Sequence, residues 1–359
     1  MSLFNSYMGG IGSSWLIDDY SLTTVGSEKS KLSLKILFSV YGWLSMAMSV
    51  LLQLSNRMGV TTSIALIFGF GHDIYAQDYN YYSQYMFNGL AINPAYAGIN
   101  ERVNITSDVR KQWFGIAGAP STQTLSAHAP ISNDKYGLGL VFVNDRVGVT
   151  YQQEFNVNYA YRIKFPIATL SLGLKAGINS VQNRFNELSM MDLDDSHFGN
   201  QDRYVVPSLG MGAYYKAENY YVGASIPQLI TLKNQSDEEI NTKEESLLLL
   251  TGGYVYHINR KYTIRPSTLM KTHIGSVFEM DINANLYYNE DFCVGLSYKS
   301  LNALSIMFEV GFQKMYYIGY SYDIATTSMI REQYGTHELS INIYLDRKGR
   351  GKVVNPRFF

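Results

Sequence analysis

Beyond Gly98 the chain settles into an alternation of apolar and polar positions, the period of a β-strand whose successive side chains point to opposite faces. Phe155, Val157, Tyr159, Tyr161 and Ile163 alternate with Glu154, Asn156, Asn158, Ala160 and Arg162, and Leu170, Leu172, Leu174, Ala176 and Ile178 with Ser171, Gly173, Lys175, Gly177 and Asn179. Met280, Ile282, Ala284 and Leu286 alternate with Asp281, Asn283, Asn285 and Tyr287. The pattern returns in Leu304 to Gln313, and again where Leu339, Ile341, Ile343 and Leu345 alternate with Ser340, Asn342, Tyr344 and Asp346. One face is aliphatic or aromatic each time, and the other carries amides or charges. About fourteen strands are predicted, beginning near Val103, Thr122, Tyr136, Glu154, Thr169, Val205, Tyr220, Leu247, Tyr262, Val277, Phe292, Ala303, Met315 and Gly335.

A soluble sandwich also alternates, so the connections between strands decide the class. The even-numbered connections are tight: Ser132 to Lys135, Pro166-Ile167, Lys216 to Asn219, Asn259 to Lys261, Asn289 to Asp291 and Gln313-Lys314. The odd-numbered ones include the long stretches Phe185 to Tyr204, Ile230 to Ser246 and Thr326 to Tyr334. Short turns at one rim, long loops at the other and an even strand count define a bacterial outer-membrane barrel, an antiparallel all-β fold. The tyrosine pairs Tyr214-Tyr215, Tyr220-Tyr221, Tyr287-Tyr288 and Tyr316-Tyr317 sit near the tight turns, where an interfacial aromatic girdle is expected.

Composition agrees. Only 16% of residues are charged and 30 are tyrosine, while the overall hydropathy is too low for a bundle of membrane helices and suits a barrel whose lumen face is polar. The net charge of -1 gives no reason to expect nucleic acid, the one basic cluster, Arg347 to Lys352, being a short tail. The single cysteine, Cys293, makes no intrachain disulfide and reads as an apolar strand residue.

Ahead of the strands, Ile64 to Phe70 followed by Ala76-Gln77 resembles a signal-peptide core and cleavage site. Leu32 to Leu54 is a second apolar run, nearly long enough to span a bilayer as a helix. Three readings of it stand: a signal anchor, a double leader, or a start codon placed too far upstream, with Met46, Met48 and Met58 as internal starts. The expected division is an extension or second leader over 1–57, a signal peptide over 58–77, a pre-barrel segment over 78–102, the barrel over 103–346 and a periplasmic tail over 347–359.

Ser83-Gln84-Tyr85-Met86-Phe87-Asn88, followed by Ile92-Asn93-Pro94-Ala95-Tyr96-Ala97-Gly98, is an ordered turn in which proline disfavours helix at Asn93 and Gly98 admits a positive φ. It resembles the opening signature of the PorP/SprF family, type IX secretion and gliding-motility outer-membrane proteins of Bacteroidetes. The likeness continues through Gln112-Trp113, Gly118 to Thr124 with Pro120, Gly137-Leu138-Gly139, Asn144-Asp145, Pro207 to Tyr215 and Gly223 to Pro227. It resumes at Arg265-Pro266-Ser267, Gly319 to Asp323, Gly335-Thr336-His337-Glu338 and Asn355 to Phe359. The resemblance marks Asn93, Pro94, Gly98, Trp113, Pro120, Asn144, Asp145, Pro207, Pro227, His337 and Glu338 as structural motif residues. It implies a barrel in outer-membrane lipid that works with periplasmic ring components of the type IX system and with a secreted surface adhesin. The strand pattern by itself suits a passive porin or small-solute channel equally well.

Catalytic chemistry has no foothold: there is no nucleotide loop, no paired cysteine set, and the histidines are scattered, so neither enzyme activity nor a cofactor or metal is expected. The aspartate-rich run Met190 to Asp195 lacks the full spacing of a calcium loop and reads as a solvated loop. Glu154, Arg162, Lys175, Asp281 and Glu309, on the lumen face, require water or partners. A water-filled channel satisfies them, and so does a plug formed by Ser83 to Gly98. Placing Ile341 on the lipid face and Ser340 on the lumen face predicts that lysine at 341 is costly and lysine at 340 much less so.

Overall fold

A computed structural model describes residues 83–100, 102–131, 134–184, 202–231, 247–273, 278–300 and 303–345. The expected leader, cleavage site, aspartate-rich run and C-terminal tail lie outside these residues. The strands are β1 (Val103–Lys111), β2 (Ser121–Ile131), β3 (Tyr136–Val147), β4 (Thr150–Lys164), β5 (Ala168–Asn183), β6 (Asp202–Ala217), β7 (Tyr220–Thr231) and β8 (Leu247–Tyr254). There follow β9 (Tyr256–His257), β10 (Tyr262–His273), β11 (Phe278–Tyr288), β12 (Phe292–Lys299), β13 (Ala303–Phe312), β14 (Tyr316–Ala325) and β15 (Thr336–Leu345).

Consecutive strands pair antiparallel, except that β8 pairs past β9 with β10, and β1 closes on β15 in a register running from Val103 opposite Leu345 to Lys111 opposite His337. β8 and β9 both pair with β10 and form one stave interrupted at Val255, whose N–H donates to Asn219 O at 2.7 Å. The result is a closed barrel of 14 staves, which leaves no sheet edge in lipid. None of the described helices is long and apolar enough to cross a membrane; the strands do so.

The packing is the reverse of a soluble protein's. Large apolar side chains such as Leu140, Phe155, Leu174, Leu296, Phe308 and Ile341 face outward, while Asn158, Asn283, Asn285, Glu338 and Asn342 are buried inside. Lipid rewards the first face, and the hydrogen-bonding interior accommodates the second. The predicted faces of β4, β5, β11, β13 and β15 are the observed ones.

Two details differ from the pattern reading. β4 begins at Thr150 rather than near Glu154, and a turn at Gly148 (φ 59°) joins it to β3, so the long-loop rim also holds a tight hairpin. Alternation loses contrast there because Gln152 and Gln153 stand above the lipid, although the ladder continues through them. The tyrosine pairs also do not all point outward. Adjacent strand residues must face opposite sides, so Tyr220, Tyr288 and Tyr316 face lipid while Tyr214, Tyr221, Tyr287 and Tyr317 are buried inside. The tight turns at Asn289-Glu290 and Gln313-Lys314 hold positive φ at both residues, as two-residue hairpins require.

Candidate functional site

The lumen is filled by the chain itself. From Ser83 to Asn100 every residue except Ala91 is buried, and the segment touches strands around the whole wall. A helical turn, Gly89–Ile92, and a 3-10 turn, Pro94–Tyr96, give it local order. Asn93 between them is extended (φ -145°, ψ 115°), the conformation that a following proline favours. Its Oδ1 accepts from Ala95 N at 2.9 Å and starts the 3-10 turn, while its Nδ2 donates to Ala213 O at 3.0 Å and Ala224 O at 3.3 Å on β6 and β7. Gly98 has φ 69°, donates its N–H to His128 Nδ1 at 3.0 Å and accepts from Arg162.

The turns have no sheet partners, so wall hydroxyls take their carbonyls: Ser171 Oγ donates to Ala95 O and Ser225 Oγ to Ile92 O, both at 2.6 Å. Close approach is possible because the wall is bare at those points. A Cβ added at Gly137 would overlap Ala97 O, one at Gly173 the Ala95 N, and one at Gly212 the Asn93 side chain. On the opposite wall Tyr85, Met86, Phe87 and Ile92 pack with Leu247, Leu249, Leu269, Tyr287, Cys293 and Met307 in an apolar cluster.

The N-terminal end of the plug is clasped by charge. Glu338 on β15 accepts from Ser83 N at 2.8 Å, Gln84 N at 2.9 Å and Arg110 Nη1 at 2.8 Å. Arg110 Nη2 reaches Asp323 Oδ2 at 3.0 Å, and Lys299 Nζ reaches the same oxygen at 2.9 Å. Ser83 Oγ donates to Asp323 at 2.7 Å. Two cations thus face two carboxylates around one serine, which keeps the buried cluster neutral. Below it Asn88 Nδ2 donates to Asp108 at 2.7 Å and Asn88 Oδ1 accepts from Ser126 Oγ at 3.0 Å, while Asn283 Nδ2 donates to Tyr85 Oη at 2.7 Å.

Of the motif residues singled out in the sequence, the fold brings Asn93, Pro94, Gly98 and Glu338 to this plug. His337 points the other way, its Nδ1 2.7 Å from Tyr320 Oη on the outer wall. Trp113 (φ 45°) and Pro120 belong to the β1–β2 loop, where Pro120 O accepts from Gln112 N at 3.0 Å. Asp145 accepts from Thr122 at 2.5 Å and Asn144 from Gln153 at 3.3 Å near the long-loop rim. Pro207 faces outward on β6, and Pro227 lies where β7 bulges against Gly210 and no ladder donor is needed. The lumen charges find partners: Asp281 pairs with Lys271 at 3.1 Å, and Arg162 with the Tyr136 carbonyl at 2.6 Å. Ser83, Asn88, Asp108, Arg110, Lys299 and Asp323 were not marked in advance as site residues, because single-sequence periodicity does not pair positions far apart along the chain.

An outer-membrane β-barrel occluded by its own N-terminal segment is the class these observations define. The model for the family described as "Type IX secretion system membrane protein PorP/SprF" matches residues 74–343, and the chain belongs to that family. It is therefore a type IX secretion membrane component of the outer membrane. Among solved structures, the TodX deltaS2S3 mutant monoaromatic hydrocarbon channel is similar at 12% identity over 71% of this chain and 92% of its own, with a TM-score of 0.41. A Pseudomonas aeruginosa FadL homologue follows at 11% over 73% and 93% (TM-score 0.39), and the Escherichia coli outer membrane phospholipase A at 11% over 67% and 95% (TM-score 0.34). At these scores the likenesses carry no argument about activity. No curated relative matches the chain.

Proposed function

We propose that this family member is a non-enzymatic component of the type IX secretion and gliding machinery that assists secretion or surface anchoring of large adhesins. The filled lumen carries the reading: a bore occupied by Ser83 to Asn100, clasped at one end and seated on glycines at the other, is ill suited to passive solute flow. Its contribution then lies at its rims, with ring components docking at the tight-turn rim and cargo meeting the long-loop rim. Deleting the gene should remove one or a few large adhesins from the cell surface, and impair spreading where the organism glides, with general permeability nearly unchanged. Purified protein in liposomes should pass small sugars poorly. Rapid liposome swelling together with normal adhesin display would overturn this reading in favour of a porin.

A further inference from the structure

The plug is clasped where the closing seam of the barrel ends. β1 and β15 pair from Val103 opposite Leu345 up to Arg110 opposite Glu338 and Lys111 opposite His337. Arg110 and Glu338, two of the groups that hold the start of the plug, thus stand one step below the last rung, at the long-loop rim. The end rungs of a ladder open first, so a clasp in that place depends on what caps the seam.

The cap is the pair of loops that join these strands to their other neighbours, β1–β2 and β14–β15. Trp113 N donates to Thr336 Oγ1 at 3.3 Å, Phe114 N to Gly335 O at 2.8 Å and Tyr334 N to Phe114 O at 2.8 Å, which carries the seam past its last rung. Rings close over it: that of Tyr334 lies on Gly115 (φ 100°) and that of Tyr322 on Gly335 (φ 86°), each so near that a Cβ would overlap it. The Phe114 and His337 rings meet edge-on with centres 5.4 Å apart. The cap is also strained, since Trp113 has φ 45°, a region that a bulky side chain adopts only when its surroundings impose it. Phe114 is 52% and Tyr334 74% exposed, which puts the cap within reach of the cell exterior. When Phe114 parts from Tyr334 and Gly335, the seam opens next at Lys111–His337 and Arg110–Glu338. Arg110 then draws away from Glu338 and Asp323, the two carboxylates that accept from Ser83. Left without that cation, the buried carboxylates favour hydration of this end of the lumen. The seat of the plug against Gly173 and Gly212, on β5 and β6, is untouched.

We propose that the β1–β2 and β14–β15 loops form a latch, reachable from the cell exterior, whose release frees the N-terminal half of the plug while the barrel stays closed below. The test is hydrogen exchange of the full-length protein in lipid nanodiscs, read by mass spectrometry of peptides covering 83–88, 93–98, 112–116 and 333–336. In the unaltered protein, 83–88 should exchange together with 112–116 and 333–336, and ahead of 93–98. Any other order would overturn the proposal, and that result needs no variant. A second measurement uses Cys293, which is buried with Tyr85, Met86 and Phe87. Gly335→Ala, which strains the latch and changes no clasp residue, should raise its maleimide labelling about tenfold. Gly148→Ala, at φ 59° in the β3–β4 hairpin of the same rim, should leave labelling unchanged. Equal labelling of the two variants, in barrels of unchanged heat-modifiable mobility, would also overturn it.

Discussion

Glu338→Ala removes the carboxylate that accepts the Ser83 and Gln84 backbone N–H groups together with the wall arginine. Its side chain is 0% exposed and receives two backbone N–H groups and the Arg110 guanidinium, all between 2.8 and 2.9 Å. If the plug stayed in place, Arg110 and Lys299 would share Asp323 alone; breaking a buried pair in this way costs about 3–5 kcal/mol. The two orphaned N–H groups would add about 1–3 kcal/mol each. The chain avoids most of that loss by letting residues 83–88 leave the wall and hydrate, which gives up Ser83 to Asp323 and Asn88 to Asp108 but leaves the glycine seat and the β1–β15 register intact.

Cys293 reports the event, being 3% exposed and part of the apolar cluster that Tyr85, Met86 and Phe87 complete. A weakening of about 3 kcal/mol raises the opening equilibrium, and with it the rate of maleimide labelling, by about two orders of magnitude. Labelling of the folded protein should therefore be slow in the wild type and fast in the variant, at unchanged heat-modifiable mobility. Glu338→Gln, which keeps an acceptor for one N–H but not the charge, should fall between them. Labelling of Glu338→Ala as slow as wild type in an intact barrel would refute the view that this clasp holds the plug.

Gly173→Ala places a methyl group on the Ala95 backbone, and should displace the 3-10 turn, raising the swelling rate of liposomes in small sugars without unfolding the barrel; an unchanged rate would mean that the seat is not tight. Ile341→Lys puts a charge on the lipid face and should cost about 2–4 kcal/mol in a reversible unfolding assay, more at the midplane than near an interface. Ser340→Lys, expected from the alternation to be much the milder change, should instead be comparably damaging, since Ser340 is 0% exposed and donates to Gln84 Oε1 at 2.8 Å; retention of slow Cys293 labelling in that variant would contradict this.

The barrel was legible because lipid imposes a strict rule that periodicity can read. Where strands lie within the bilayer, as in β7, β8 and β12, the predicted starts at Tyr220, Leu247 and Phe292 are the observed ones. Where the ladder rises above lipid, as at Thr150 and Asp202, the outward face is no longer obliged to be apolar and the start is read too late. One tyrosine of each adjacent pair faces inward and only its neighbour is placed for a girdle, because position near a turn does not settle parity, which the pleat fixes. The motif around Asn93 was recognisable as an ordered turn, yet its destination rests on contacts with β5, β6 and β7 more than seventy residues away.

A polar inward face does not distinguish a channel from a plugged bore, because water and protein satisfy amides and charges equally well. The discriminating sign is the absence of side chains at particular inward positions. A water-lined wall gains nothing from glycine, which weakens a strand by leaving it without packing and with more entropy to lose. Gly137, Gly173, Gly212 and Gly319 nevertheless occupy inward positions, and each lies where a Cβ would overlap the plug at Ala97, Ala95, Asn93 or Gln84. Gly137, Gly212 and Gly319 lie within stretches that carry the family likeness, and Gly173 lies on the polar face of β5. Gly137, Gly173, Gly212 and Gly319 therefore trace the outline of the segment from Gln84 to Ala97, and a wall with that outline is shaped around a resident peptide, with no need of an open pore.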